Sequence, residues 1–480
     1  MKKILLSIAV GFVVLQTAQA TPLEEAIKGV EMSGMLRYRY TDDRRENELF
    51  LKDTARSAKK GTAKHQWRAS MDFQTPIIDN ISMYLGVLYH NPSQTITHGK
   101  NGDGTGNGLG SGKDRDFGVS NFYATYTFDS TNTTIKMGKM VLNTPYNDVL
   151  HDRATGIVVG NADLPHWTFL ASAYDSFSID DIYIGYLDDE QSISKPFYQI
   201  AAIGSYETLV GNFEAQVWGT NITDILDFGL YSQASFDNGI FSIKGIYAYA
   251  NLTKNENPLS QLINDKAASW GYDYNNGSSF AHTYDTQDFQ NVADLYIIEV
   301  GANLKQFAIP FSLRVGYWGN TKHSYTVSLD NEGYFNYNPT GRIWFENEAT
   351  GVTISMLPNT GTRTPAKGES NELQVFYAVP NYQILENLNI GLEYIDGKNK
   401  LSRGSGASAY NGEINFREIT PVLVYRLSKQ MRLTAYYAML ETKIDKELLL
   451  KSSNVSAWDS TKFTQEEKFN RFRFEMRYNF

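Results

Sequence analysis

Apolar and polar residues alternate along much of the chain with a period of two. In Trp67-Arg68-Ala69-Ser70-Met71-Asp72-Phe73-Gln74, one face carries Trp, Ala, Met and Phe and the other Arg, Ser, Asp and Gln, because successive side chains of a strand point to opposite sides. At the C-terminus Phe472, Phe474, Met476, Tyr478 and Phe480 share one face, and Arg471, Arg473, Glu475, Arg477 and Asn479 share the other. A helix, with its period of about 3.6, sorts no such pattern. Phe213 to Val217 and Leu313 to Tyr317 repeat it.

This rhythm predicts strands near 30–40, 65–76, 81–90, 120–128, 133–139, 167–174, 180–187, 197–206, 211–219, 226–236, 240–250, 292–304, 309–319, 371–378, 386–396, 412–427, 431–441 and 468–480. That is about eighteen, or sixteen if two short segments are loops. The connections alternate in length. Short ones lie at Thr75 to Asn80, Asp129 to Asn132, Leu209 to Gly211, Asp237 to Gly239 and Ser428 to Gln430. Long polar ones fall near 41–64, 91–119, 140–166, 251–291, 320–370 and 442–467. Short turns on one rim and long loops on the other are the habit of a membrane barrel.

Alternation alone does not choose between a soluble sandwich, whose apolar face packs on a second sheet, and a transmembrane antiparallel β-barrel, whose apolar face meets lipid. Strands of about ten residues match a tilted membrane strand and exceed the usual length of about five or six. Aromatic residues gather at the strand ends. The expectation is an all-β transmembrane barrel with short periplasmic turns, long extracellular loops and one loop folded inward.

The N-terminus changes the picture further. Lys2 and Lys3 precede an apolar run from Ile4 to Leu15, and Ala18-Gln19-Ala20 is a small-x-small cleavage site. Residues 1–20 therefore read as a signal peptide for export by the Sec pathway, and 21–480 as a single barrel domain. The apolar run falls short of the roughly 20 residues a helical span needs. There is no cysteine, so an exported chain must be held by a large core or a closed sheet rather than by disulfides. A net charge of -9 with no basic domain makes nucleic acid an unsuitable partner. With 31 Tyr, 26 Phe and 38 Gly against 13 Pro, the composition suits many strands, tight turns and aromatic girdles.

Catalytic and metal patterns are wanting. The glycine-rich run 101–112 lacks the P-loop hydroxyl, because Gly112-Lys113 is followed by Asp114. An EF-hand register begun at Asn101 places Gly112 where the bidentate Glu belongs. No H-E-x-x-H, paired cysteines or G-x-S-x-G occurs. Strand carboxylates such as Glu214, Asp227, Glu299 and Glu393 could supply a glycosidase pair but read more simply as lumen lining. The segment 140–166, with Asp148, His151, Asp152 and Arg153, is the candidate constriction loop. Its acids would face wall arginines Arg37, Arg39, Arg68, Arg314, Arg432 and Arg471, in a low-dielectric throat that focuses the field.

Two stretches resemble a known family. Thr21 to Val30, running into Ser33-Gly34-Met35-Leu36-Arg37-Tyr38-Arg39-Tyr40, is similar to the mature N-terminus of the major outer membrane porins of campylobacters and their relatives. Gly138 to Asn143, continuing to Asp148 and Thr155-Gly156-Ile157, resembles the constriction region of that family, and Leu142-Asn143-Thr144-Pro145 with Asp152-Arg153 is similar to OprD-like porins. The C-terminal strand ending in Phe480 resembles the signal read by the barrel-assembly machinery. The resemblance implies a barrel of about 18 strands, commonly a homotrimer, passing small hydrophilic and often cationic solutes. It also implies a calcium ion on acids matching Asp148 and Asp152. His151 and Arg153 beside them, and the long loops at 251–291 and 320–370, depart from the pattern.

The expectation is thus a passive diffusion channel of a Gram-negative outer membrane, not an enzyme, in contact with outer-membrane lipids and lipopolysaccharide and with a mild cation preference. Its rivals are a secreted all-β carbohydrate-binding or hydrolytic protein, and a barrel that acts as an enzyme or adhesin.

Overall fold

The computed structural model describes residues 29–52, 62–97, 117–147, 152–178, 194–253, 290–321, 323–325, 327–329, 340–352, 368–403, 409–452 and 458–480. Eighteen strands form one sheet. They are β1 (Glu31–Glu46), β2 (Thr62–Gln74), β3 (Ile81–Thr97), β4 (Phe117–Thr127), β5 (Thr133–Val141), β6 (Arg153–Asn161), β7 (Trp167–Ser178), β8 (Phe197–Thr208) and β9 (Gly211–Ile222). The second half holds β10 (Leu226–Asp237), β11 (Phe241–Leu252), β12 (Val292–Asn303), β13 (Phe311–Gly319), β14 (Ser370–Leu385), β15 (Leu388–Arg403), β16 (Tyr410–Arg426), β17 (Met431–Ile444) and β18 (Glu466–Asn479).

Each strand pairs antiparallel with its neighbour in the chain, and β1 closes on β18 from Met35–Asn479 to Glu46–Lys468. Closure leaves no edge strand with unpaired backbone groups, which is the condition for a sheet to sit in hydrocarbon. The seam is tight. Gly34 and Phe480 exchange both backbone hydrogen bonds, at 2.9 and 3.1 Å. A Cβ on Gly34 would lie 2.5 Å from the Phe480 ring.

The two faces divide as the alternation demands. Leu36, Trp67, Phe122, Ile200, Val217, Ile243 and Ile298 project outward and are each at least 40% exposed. So continuous an apolar exterior exceeds what a water-soluble surface tolerates and is what lipid requires. Tyr206, Phe213 and Phe236 stand side by side near the short turns of β8, β9 and β10, the place of an interfacial aromatic girdle.

One expected element needs correction, and another is not tested. The segment 140–166 is not one loop, because its centre is the strand β6. Ala154 on the inner side of β6 is 2% exposed and packs in a cluster with Met140, Leu142 and Tyr146. The strand is therefore apolar on both sides and shows no alternation to read. The expected strand at 180–187 lies outside the described residues, and β7 pairs directly with β8, from Trp167–Gly204 to Tyr174–Phe197. β6 is the strand that the expected set lacked, and the described sheet has eighteen strands, as expected.

The long and short connections segregate as expected, save that β9 and β10 are joined at the long-loop end by residues 223–225 alone. At that end a short helix, α1 (Lys446–Ser452), places Leu448 and Leu449 on Phe50, Ala349, Ile414 and Ile444.

Candidate functional site: the barrel interior

The inner wall carries a row of arginines. Arg68 on β2 is directly opposite Arg37 on β1, which is opposite Arg477 on β18, then Arg432 on β17 and Arg426 on β16. Neighbours in direct register sit about 4.5–5.5 Å apart, and like charges so placed repel. Five in succession cost stability, which makes the row the candidate site of the lower lumen. It runs from the buried Arg37 and Arg68 (8% and 6% exposed) to the exposed Arg432 and Arg426 at the short-turn rim. Arg37 Nε is buried without a hydrogen-bond partner among the described residues. Above the row the arginines are paired. Arg39 meets Glu475 at 2.9 Å, Arg471 Nε meets Asp43 at 2.7 Å, and Arg473 donates to Thr41.

The other half of the lumen, toward the long loops, is filled. The connection between β13 and β14 folds inward, and residues 340–352 are held by carboxylates of the wall. Glu418, wholly buried on β16, accepts the backbone N–H groups of Arg342, Ile343 and Trp344 and the Thr420 hydroxyl. Glu393 on β15 accepts from Gly341 N and pairs with Arg342. Glu467 on β18 accepts from Asn347 Nδ2 and Leu49 N, and Arg471 binds Glu346. Apolar contacts add to this. Trp344 stacks on Phe416 at 5.3 Å and meets Trp318 edge-on at 5.6 Å. Tyr325 donates to Gly351 O and accepts from Asn399 of β15. A second inward turn, 142–147, joins it, for Tyr146 O accepts from Ser328 Oγ and Leu329 N, both at 2.6 Å. Burial pushes the Tyr146 hydroxyl well above the ordinary tyrosine range.

The expected site residues fall in different places. Arg37, Arg68 and Arg432 are brought together in the row. Arg39 and Arg471 lie above it in ion pairs. Arg314, on β13, pairs at 2.8 Å with Glu299, which also accepts from Tyr377 and lies 3.5 Å from Lys244. Arg153 opens β6 and donates to the carbonyls of Ser120 and Asp152. Asp152 is buried, 1% exposed. Asp148 and His151 lie outside the described residues. A calcium ion takes about six to eight oxygens. Of the two acids expected to hold one, Asp152 is described and Asp148 is not, and among the described residues no group of three His, Asp or Glu forms a cation site.

The comparisons with known proteins meet this geometry. Residues 1–469 match the family model described as Campylobacter major outer membrane protein. The chain belongs to that family. It is an outer-membrane porin, and its barrel is a transmembrane channel rather than a soluble sandwich. No curated protein matches the sequence. Among solved structures, a BenF-like porin from Pseudomonas fluorescens Pf-5 is similar at a TM-score of 0.55 and 12% identity, over 94% of this chain and 99% of that one. OpdQ of Pseudomonas aeruginosa gives 0.54 at 10% identity over 95% and 99%. OpdK of Pseudomonas aeruginosa with vanillate gives 0.52 at 12% identity over 94% and 98%. At such identities the likeness is one of fold.

Sequence reasoning missed Arg477 and Arg426 in the row, and Glu418 and Glu467 as anchors of the inward loop. Arg477 could have been found, since the polar face of the last strand reads Arg471, Arg473, Glu475, Arg477. Glu418 could not, because a carboxylate amid Phe416, Ile419 and Thr420 gives no local sign of the backbone donors it serves.

Proposed function

We propose that this porin passes small hydrophilic solutes down their gradient, without chemistry or energy input, and favours those that bear a carboxylate. The observation that carries the reading is the row from Arg68 to Arg426. Guanidinium groups match a carboxylate with two parallel hydrogen bonds, and successive ones let an anion move on without being held. The inward residues 340–352 set the width. The vanillate in the similar OpdK structure is a solute of the kind the row would guide. A second reading, a mild overall cation preference, is favoured by the net charge of -9. It assigns the selectivity to loop acids, Asp148 and Asp152 among them. We further infer assembly as a homotrimer in a lipopolysaccharide-bearing membrane through the barrel-assembly machinery. The outward Phe480, 39% exposed at the closing seam, supports recognition of the last strand.

Liposome swelling tests the reading. A small aromatic carboxylate should enter faster than its uncharged amide, and Arg37→Gln with Arg68→Gln should abolish the advantage. Equal rates for acid and amide in the unaltered protein would remove the role given to the row.

A further inference from the structure

The barrel wall is uneven in height. Strands β4 to β13 have 9 to 12 residues, whereas β14, β15, β16 and β1 have 16 or 17 and β17 and β18 have 14. On the outer face of this taller side, at the loop end, the residues are charged in a regular order. Asp396, Arg417, Glu441, Lys468 and Glu46 stand in direct register across β15, β16, β17, β18 and β1, alternating in sign at every step. Nearer the loops, Lys443 pairs with Glu466 at 2.8 Å, Lys398 with Glu413 at 2.9 Å and Lys400 with Glu372 at 3.0 Å. The four lysines and Arg417 are each at least 37% exposed at the side chain. Ion pairs this exposed contribute little to stability, so the fold alone does not account for such an ordered array.

Its position is informative. Directly below it on β16, β17 and β18, Ile419, Tyr437 and Phe472 are 36–41% exposed to the lipid side. A molecule covering both zones has apolar tails and a charged head. From Asp396 to Lys400 the array rises four residues, about 13 Å along the strand, or about 10 Å after strand tilt. The headgroup layer on each side of a phospholipid bilayer is only about 5–7 Å thick. A phosphorylated oligosaccharide head fills that height. We propose that this face is a docking surface for lipopolysaccharide of the outer leaflet, an assignment that rests on the membrane placement proposed above. The bases bind its phosphates directly, and the intervening carboxylates reach them through divalent cations.

The test uses the full-length porin reconstituted with lipopolysaccharide, counting by native mass spectrometry the glycolipid retained after detergent washing. Joint Lys398→Gln, Lys400→Gln, Arg417→Gln, Lys443→Gln and Lys468→Gln should lower retention about tenfold and leave single-channel conductance unchanged. Loss of conductance in every variant and in the unaltered protein would instead be a failure of the channel reading. A matched variant, Asp396→Asn with Glu372→Gln, Glu413→Gln, Glu441→Gln and Glu466→Gln, breaks the same ion pairs. It should retain the glycolipid but lose its enhancement by magnesium. Retention by the base variant equal to that of the unaltered protein overturns the proposal. So does equal loss in both variants, displacement by phosphatidylglycerol at equal phosphate, or dissociation of the oligomer without loss of glycolipid.

Discussion

The two halves of the lumen are built from the same strands by opposite rules. Toward the short turns the inner face is polar and ends in Arg477, Arg432 and Arg426. Toward the long loops the inner face of those strands turns apolar, with Phe469 on β18, Leu440 and Ala438 on β17, and Phe416 and Ile414 on β16, all at most 3% exposed. Phe469, Leu440, Ala438 and Phe416 cluster with Trp344, Ile343 and Phe345 of the inward segment, and Ile414 with Ala349 of that segment and Leu448 and Leu449 of α1. The upper half is therefore a soluble-protein core enclosed by a membrane barrel, held by apolar burial worth about 25 cal/mol per Å². The lower half is an electrostatic surface, held against its own repulsion by the closed sheet. The proposed function assigns width to the first and charge to the second.

That separation can be broken from either side. Replacing residues 340–352 by a short Gly-Ser linker should have the largest effect, raising single-channel conductance roughly twofold or more, because an 18-stranded barrel is wide enough for an open aqueous channel. The sign of the reversal potential in a salt gradient should not change. Unaltered conductance would mean that the segment does not narrow the path. A smaller effect is expected from Glu418→Ala, which removes the acceptor of three buried backbone N–H groups, each costing about 1–3 kcal/mol when unsatisfied. Protease cleavage within 340–352 should then appear while heat-modifiable migration, the mark of an intact barrel, is kept. A variant as resistant as the parent would show that the wall carboxylate does not anchor the segment.

The contrast also explains what the sequence revealed. Where lipid lies on one side and water on the other, alternation is clean. The stretch from Trp67 to Gln74 and the last strand were legible residue by residue, as was the inward direction of Arg37, Arg68 and Arg432. Where the inner side packs on the inserted segment, both faces are apolar and the signal vanishes, as at β6, whose residues were taken into a loop. The inward path of residues 340–352 was beyond reach for a related reason. Its anchors, Glu393, Glu418 and Glu467, lie 52, 76 and 120 residues along the chain from Gly341, Arg342 and Asn347, the loop donors they hold, and nothing local distinguishes them from lumen-lining acids. Of the acids assigned to the throat, Asp152 is buried just before β6 and Asp148 lies outside the described residues.

The most direct measurement is the reversal potential across a bilayer in a salt gradient, compared between the unaltered porin and Arg37→Gln, Arg68→Gln, Arg432→Gln and Arg477→Gln combined. A polar wall focuses the field of its charges into the channel, so the combined variant should shift toward cations by an amount that shrinks as salt screens the row. No shift, or an equal shift on removing residues 340–352 alone, would contradict the division of the lumen into a half that sets width and a half that sets charge.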